Sequence, residues 1–123
     1  MKALLLVGLG GALGSIARYA IAVLTLQSVS VRFPWGTFAV NVIGCLVAGV
    51  LLGLSEKHAW FDAQTRLFLF TGVLGGFTTF SAFGLDALTL LRRDEWMLAA
   101  LYIAGSVLLG LAAAWFGLRL VLR

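Results

Sequence analysis

Four long apolar stretches, each bounded by charged or polar residues, constrain the fold of this chain more than any other feature. They run approximately over residues 3–26, 33–54, 66–91 and 96–120. Each is long enough to span a membrane, because about 20 mostly apolar residues cross the hydrocarbon core as a helix. Backbone polar groups must be paired inside lipid, which favours helices. The sequence therefore predicts an all-α integral membrane protein with four transmembrane helices.

The composition agrees with this interpretation. Of the 123 residues, 62% are hydrophobic and 11% are charged, whereas soluble domains carry about 25% charged residues. The formal net charge is +4, but the basic residues form no run or stripe of the kind that binds nucleic acid. We expect one domain over residues 1–123, no nucleic-acid partner, and an N-terminal segment that remains as a helix rather than being cleaved as a leader.

The basic residues other than Arg18, which lies inside the first stretch, are nearly balanced across the membrane. Four helices place both termini on one side, and the two sets are Lys2, Lys57, Arg66, Arg119 and Arg123 on that side against Arg32, Arg92 and Arg93 on the other. Positive charge normally marks the cytoplasmic side. Because the bias is small, the chain could insert in both orientations, and an antiparallel homodimer is possible.

The third apolar stretch contains two features that disrupt a helix near midspan. Gly75 and Gly76 are adjacent, and Thr78 and Thr79 follow them closely. Irregular backbone at this depth is tolerated only where it is buried or lines a site. Freed carbonyls suit a hard cation, and half-helix N-termini suit an anion. The pattern predicts a broken third helix with an ion site, with a Thr-stabilised glycine kink as the alternative.

Polar side chains inside the helices are candidate functional residues, because lipid offers them no hydrogen-bond partner. Asn41 lies near the middle of the second helix, with Thr37 on the same face. Its amide donors could replace part of the hydration shell of an anion, or they could bond a neighbouring helix. Tyr102 and Ser106 similarly share one face of the fourth helix.

Aromatic and charged residues complete the candidate set. Phe80 and Phe83 share a helix face, and the positive edges of their rings could line an anion path, with the Ser81 hydroxyl between them; ordinary packing is the alternative. Arg18 could concentrate anions in a vestibule or extend towards the surface. Asp86 is expected to pair with an Arg or a Lys. No nucleophile and base set can be assembled, so an enzyme is not expected.

Small residues also recur at a spacing of four, which places them on one helix face. The pairs are Gly10 with Gly14, Gly49 with Gly53, and Gly72 with Gly76. Since lipid supplies no hydrophobic drive between helices, such pairs favour close backbone packing.

Three motifs, in order along the chain, resemble the CrcB/Fluc family of fluoride channels. They are Gly10-Gly11-Ala12 through Arg18-Tyr19, Gly36 through Asn41 with Gly44, and Gly75 through Phe83. The resemblance implies a dual-topology homodimer with two antiparallel pores, which passively releases cytoplasmic fluoride across the inner or plasma membrane of a prokaryote. It also implies a structural Na⁺ at the dimer centre, held by the backbone carbonyls of Gly75 and Thr78.

The same resemblance implies roles for individual residues. The pore phenylalanines of the family correspond to Phe80 and Phe83, its pore asparagine to Asn41, its fourth-helix tyrosine to Tyr102 and its vestibule arginine to Arg18. Two positions depart from the pattern: Ala82 stands where many relatives carry a hydroxyl, and Gly110 stands where a polar side chain would extend the hydroxyl track.

Two other functions remain open from the sequence. A small proton-coupled multidrug exporter would need a carboxylate at midspan, and Asp86 lies too far along its helix. A non-transporting membrane assembly subunit would use the glycine faces for packing alone. A selective path for fluoride would instead replace its water with moderate amide, hydroxyl and aromatic-edge contacts, so that the ion can also leave.

Overall fold

A computed structural model describes residues 1–28 and 32–123, and for residues 27 and 28 it describes only the backbone. All regular structure in this part of the chain is helical. Four helical spans are long and apolar enough to cross a membrane. The predicted all-α, four-span membrane fold is confirmed, while the predicted connection from Gln27 to Arg32 lies largely outside the described residues.

The third of these spans is interrupted, so the described residues form five helical segments. They are α1 (Lys2–Ser28), α2 (Trp35–Lys57), α3 (residues 63–77), α4 (Phe80–Arg92) and α5 (Trp96–Leu122). Within α3, a π-helical stretch over Leu67–Leu74 lies between two short α-helical pieces, Ala63–Arg66 and Gly75–Phe77. Two non-helical residues, 78 and 79, separate α3 from α4.

Local sequence explains where two spans begin. The second span starts at Trp35 rather than at the predicted Phe33, because Pro34 occupies the position just before the helix and a proline disfavours helical backbone at the residue that precedes it. The third span starts at Ala63 rather than at Arg66, because Asp62 caps α3. Capping side chains satisfy the first N–H groups of a helix and so define its start.

Glycines bring α1 and α3 together, side by side and in the same direction. A Cβ atom on Gly10 would lie 2.9 Å from the Cα of Gly72, and one on Gly14 would lie 2.8 Å from the amide nitrogen of Phe77. Gly76 would similarly meet the backbone of Gly11. Since no side chain fits between these backbones, the predicted close packing through small residues is confirmed here.

A second glycine contact joins α2 to α5, again in the same direction. Gly49 faces the Ala114 carbonyl, and a Cβ atom on Gly53 would lie 2.8 Å from the Cβ of Val121. At the end of the pair, Lys57 Nζ donates to the Val121 carbonyl at 2.8 Å. Lys57, at the end of α2, thus provides a donor for a carbonyl in the last turn of α5 that has no partner within that helix.

The small buried core lies where α4 packs against α5. It contains Ala87, Leu90, Ala99 and Tyr102. A tight turn connects the two helices: Asp94 adopts a left-handed conformation with φ 59°, and the Glu95 N–H returns to the Leu90 carbonyl at 2.9 Å. Many large apolar side chains elsewhere are exposed, as expected for helices that face lipid. The start of α4 lies beside α2, where Asn41 contacts Thr79.

The Asp62 cap makes a pH-dependent contribution to stability. Its carboxylate accepts the Thr65 N–H and hydroxyl, both at 2.8 Å, and the backbone hydrogen bond is the main cause that lowers the pKa of Asp62. The stabilisation is therefore fully present above the unfolded pKa of about 3.9 and is lost as pH falls through the lower folded value. We expect the thermal unfolding midpoints of the wild type and of Asp62→Ala to approach each other as the pH falls through the lowered folded pKa of Asp62.

Asp62→Asn provides the matched control, because an amide oxygen still accepts both bonds and does not titrate. Its unfolding midpoint should depend less on pH than that of the wild type. A difference in unfolding midpoint between wild type and Asp62→Ala that does not shrink as the solution is acidified contradicts the prediction.

Candidate functional site

The interruption of the third span consists of Thr78 and Thr79, which both have extended backbones. Thr78 has φ −79° and ψ 157°, and Thr79 has φ −151° and ψ 121°. The Thr78 N–H and hydroxyl donate to the Leu74 carbonyl at 2.9 and 2.8 Å. The Thr79 hydroxyl accepts the Ala82 N–H at 3.1 Å and so caps α4. The predicted break near midspan is confirmed, and Thr hydroxyls pair backbone groups on both sides of it.

Asn41, on α2, holds the break through both atoms of its carboxamide. Its Nδ2 donates to the Thr79 carbonyl at 3.0 Å, and its Oδ1 accepts the Thr79 N–H at 2.9 Å. A carboxamide nitrogen carries two hydrogens, so one N–H of Asn41 remains after these bonds. The interhelical hydrogen bond that the sequence left as an alternative is therefore present, together with a spare donor.

These bonds remove the helical partners of two carbonyls. In a continuous α-helix each N–H donates to the carbonyl four residues earlier, so Thr79 would pair with Gly75, and Ala82 would pair with Thr78. Those N–H groups donate instead to Asn41 Oδ1 and to Thr79 Oγ1. No backbone N–H in residues 1–28 and 32–123 donates to either carbonyl. Such oxygens are the ligands that hard cations prefer, so they fit the implied sodium ion.

A cavity of about 390 Å³, the inner cavity, adjoins the break between α2, α4 and α5. Six of its lining residues carry polar or aromatic side chains: Asn41, Thr78, Thr79, Phe80, Phe83 and Ser106. Its lining includes no charged side chain. The Ser106 Oγ is buried and has no hydrogen-bond partner within the described part of the chain. Because a buried hydroxyl normally has a partner, this hydroxyl is available to a ligand.

Phe80 and Phe83 form the aromatic wall of the inner cavity. Their rings are stacked, with centroids 5.6 Å apart and an interplanar angle of 28°. Phe83 is half-buried, whereas Phe80 is 85% exposed. A large aromatic side chain beside a polar break is thus left open in the single chain, which does not close the cavity by itself.

Two further cavities continue from the break towards one end of the bundle. The Arg18 cavity, of about 280 Å³, is lined by residues that include Ser15, Arg18, Tyr19, Thr37 and Thr79. The outer cavity, of about 330 Å³, includes Arg32, Thr37, Asp86 and Arg93. Thr37 lines both of these cavities, and Thr79 lines the Arg18 cavity and the inner cavity. The three spaces are therefore neighbours, and basic side chains line the outer two.

The prediction for Asp86 was wrong. Its carboxylate accepts a hydrogen bond from the Tyr102 hydroxyl at 3.3 Å, and it has no salt bridge among the described residues. Tyr102 is fully buried, and its ring contacts those of Phe33 and Phe83 at centroid distances of 5.5 and 5.2 Å. The phenol reaches the carboxylate because the packing of α4 on α5 brings the two side chains together.

Comparison with known proteins gives the same assignment as the motifs. Residues 5–118 match the family model described as CrcB-like protein, Camphor Resistance (CrcB). The chain belongs to the CrcB family. A relative from Methylobacillus flagellatus, named fluoride-specific ion channel FluC, is 51% identical over 98% of this chain and 95% of its own length. Relatives of the same name from Rhizobium etli and Nitratidesulfovibrio vulgaris are 49% and 46% identical, over 95% and 96% of this chain and 94% and 95% of their own lengths.

The structure brings together part of the residue set that the CrcB resemblance and the sequence predict. Asn41, Phe80, Phe83 and Ser106 line the inner cavity. Thr37 and Arg18 lie in the neighbouring cavity. Ser81 is exposed, with its hydroxyl 3.3 Å from that of Thr79, and Tyr102 lies behind Phe83 and does not line the inner cavity.

Sequence reasoning missed three residues. Thr79 received no role of its own, although a Thr at a helix start, three residues before the N–H that it caps, is a recognisable capping signal. Arg32 and Arg93 were counted only as flanking charges, yet both line the outer cavity. No sequence pattern predicts that Arg32 and Arg93 line the same cavity, because the two arginines belong to different connections between helices.

The two departures from the CrcB pattern have different surroundings. Gly110 is buried, and a Cβ atom there would lie 3.3 Å from the Cys45 sulfur. The Cys45 side chain thus takes the space that a larger residue at 110 would need. Ala82 lines the Arg18 cavity, so the missing hydroxyl would be on that side of the break and not in the inner cavity.

Tyr102→Phe tests the pairing of Asp86. The change removes the only described hydrogen-bond donor to that carboxylate, which is partly exposed, and is expected to lower the free energy of unfolding by about 0.5–1.5 kcal/mol, the net contribution of a typical hydrogen bond. Unfolding in detergent, followed by tryptophan fluorescence, measures the loss. The double variant Tyr102→Phe with Asp86→Leu removes both partners and should recover part of it. Equal stability of wild type and Tyr102→Phe contradicts the prediction.

Proposed function

We propose that this protein is a fluoride-selective channel that allows passive efflux of cytoplasmic fluoride and so protects the cell from fluoride toxicity. The supporting observation is the inner cavity, which combines a spare Asn41 N–H, the unpaired Ser106 hydroxyl and an aromatic wall without any charged side chain. The relatives that match this chain nearly end to end are named fluoride-specific ion channels. A channel, and not an enzyme, is the activity that both support.

The donor set suits a small, strongly hydrated anion. Within the inner cavity an anion can accept the free Asn41 N–H and the Ser106 hydroxyl, while the ring edges of Phe80 and Phe83 supply weak positive potential. Because each contact is moderate and no cationic side chain lines the cavity, the ion can also leave. A site that must both bind and release needs this balance.

The neighbouring cavities provide an approach to this site. Arg93 lines the outer cavity and Arg18 lines the next one, whereas Arg32 in the outer cavity is paired with Glu95 at 2.9 Å. Positive side chains in an aqueous vestibule raise the local concentration of anions. Thr37 joins the two cavities, and Ser81 and Tyr102 contact Thr79 and Phe83 at the margins of the proposed path.

An antiparallel homodimer, with two pores of opposite direction, accounts for what the single chain leaves uncovered. Phe80 is 85% exposed and Gly75 is exposed beside the polar break. Irregular backbone at membrane depth requires burial in protein or water, not lipid, and a second copy would supply that cover. The carbonyls of Gly75 and Thr78 would hold a structural Na⁺ at this interface, because neither has a backbone donor among the described residues.

In this proposal the protein lies in the inner or plasma membrane of a prokaryote, which it crosses several times. Purified protein in liposomes loaded with potassium fluoride tests the activity, with a fluoride electrode outside and valinomycin to carry the potassium. We expect fast fluoride efflux and much slower chloride efflux from matched liposomes. If neither fluoride nor chloride leaves the liposomes, the proposal is overturned. Proton-driven transport of a cationic drug in place of fluoride efflux would favour an exporter.

A non-transporting assembly subunit is the remaining alternative. It predicts a stable dimer without anion flux, so the same preparations are checked for dimer content by cross-linking. A folded, dimeric protein that releases no fluoride would favour that alternative over the channel.

A further inference from the structure

We infer that Asn41 is a positioning residue for the cation at the break, in addition to its place beside the anion path. Its carboxamide keeps the carbonyls of Gly75 and Thr78 free to bind that cation. The inference rests on the proposed sodium site, and it gives one side chain an effect on both ions.

The first step concerns the Gly75 carbonyl. Its helical donor would be the Thr79 N–H, which donates to Asn41 Oδ1 at 2.9 Å. At the same time Asn41 Nδ2 donates to the Thr79 carbonyl at 3.0 Å. Two bonds to the N–H and the carbonyl of one residue fix its orientation, so the Thr79 N–H cannot turn back towards Gly75 without breaking both.

The second step concerns the Thr78 carbonyl. Its helical donor would be the Ala82 N–H, which donates to the Thr79 hydroxyl at 3.1 Å. The position of that hydroxyl follows from the extended backbone of Thr79, which Asn41 holds. One side chain on α2 therefore controls, directly and through Thr79, both N–H groups that would otherwise pair the two carbonyls.

Loss of Asn41 should favour closure of the break. The partly buried Thr79 N–H would then need another acceptor, and the Gly75 carbonyl is the one that a continuous helix provides. A carbonyl that accepts an N–H is a poorer and misdirected cation ligand. Groups that orient metal ligands typically change metal affinity by about 10–100-fold when they are removed.

The experiment measures sodium binding without relying on flux. The full chain is purified in detergent, and its unfolding midpoint and dimer fraction are followed as NaCl replaces N-methyl-D-glucamine chloride at constant ionic strength. For Asn41→Ala we expect the sodium concentration at half-maximal stabilisation to rise by at least about tenfold. Ser106→Ala is the matched control, because it removes a group from the inner cavity without touching the break, and its sodium response should equal that of the wild type.

A second pair of variants keeps the inference testable if Asn41→Ala does not fold. Thr79→Val removes the acceptor of the Ala82 N–H, whereas Thr79→Ser retains it. Thr79→Val should weaken the sodium response, and Thr79→Ser should preserve it. A wild-type response in Asn41→Ala, or in Thr79→Val when Asn41→Ala is unfolded, overturns the positioning role. No sodium response in the wild type overturns the cation site as well, while fluoride efflux from liposomes tests the channel separately.

Discussion

Replacing Phe80 with isoleucine is expected to slow fluoride efflux by at least about tenfold, which corresponds to about 1.4 kcal/mol of lost stabilisation along the path. Isoleucine keeps an apolar surface but lacks the positive ring edge that would face the anion. The ring also stacks on Phe83 and lines the inner cavity, so its loss removes part of the proposed path. Efflux from liposomes, measured with a fluoride electrode at equal protein density, gives the ratio of rates.

Phe116→Ile is the control for this change. Phe116 is an exposed phenylalanine on α5, 55% accessible in the single chain, and it does not line the inner cavity. Phe116→Ile removes the same kind of ring and should leave the rate of fluoride efflux unchanged. If Phe80→Ile remains folded and dimeric and conducts at the wild-type rate, the assignment of Phe80 to the path is wrong.

Replacing Gly14 with alanine should disrupt the contact between α1 and α3. The added Cβ would lie 2.8 Å from the Phe77 amide nitrogen and closer still to the Val73 carbonyl. Both neighbours are backbone atoms, so neither can rotate away, and the helices must separate. We expect the free energy of unfolding to fall by about 1–3 kcal/mol, the typical cost of overpacking, as measured by denaturant titration in detergent with tryptophan fluorescence.

Gly8→Ala is the matched control on the same helix. A Cβ atom at Gly8 meets nothing within 4 Å, while the intrinsic helix preference of alanine over glycine, about 1 kcal/mol, is the same for both changes. Gly8→Ala should therefore leave stability unchanged or raise it slightly. Similar losses for Gly8→Ala and Gly14→Ala would mean that close packing is not the cause.

Several features of this protein could be predicted from the sequence because they depend on neighbouring residues. Four runs of about 20 apolar residues indicate four spans. Adjacent glycines followed by threonines indicate a break, since glycine weakens a helix and Thr hydroxyls can pair freed backbone groups. Gly10 and Gly14 share a helix face by spacing alone, which predicted close helix packing, while the structure identified α3 as the partner.

The tertiary structure decided the features that depend on residues far apart in the chain. Asn41 and Thr79 are separated by 38 positions, and no local pattern predicts that one carboxamide takes both backbone groups of one threonine. Asp86 was expected to pair with a basic residue, but helix packing placed Tyr102 within reach instead. The unpaired Ser106 hydroxyl likewise became visible only once its neighbours were known.

The break in the third span shows both contributions. Its place in the chain follows from local sequence, because glycine and threonine alter the backbone where they stand. Which carbonyls it leaves without a donor depends on Asn41, a residue of another helix, and hydrogen-bond partners are decided by distance in space. The sequence by itself therefore determined that the third helix is broken, and the tertiary structure determined which backbone oxygens that break makes available.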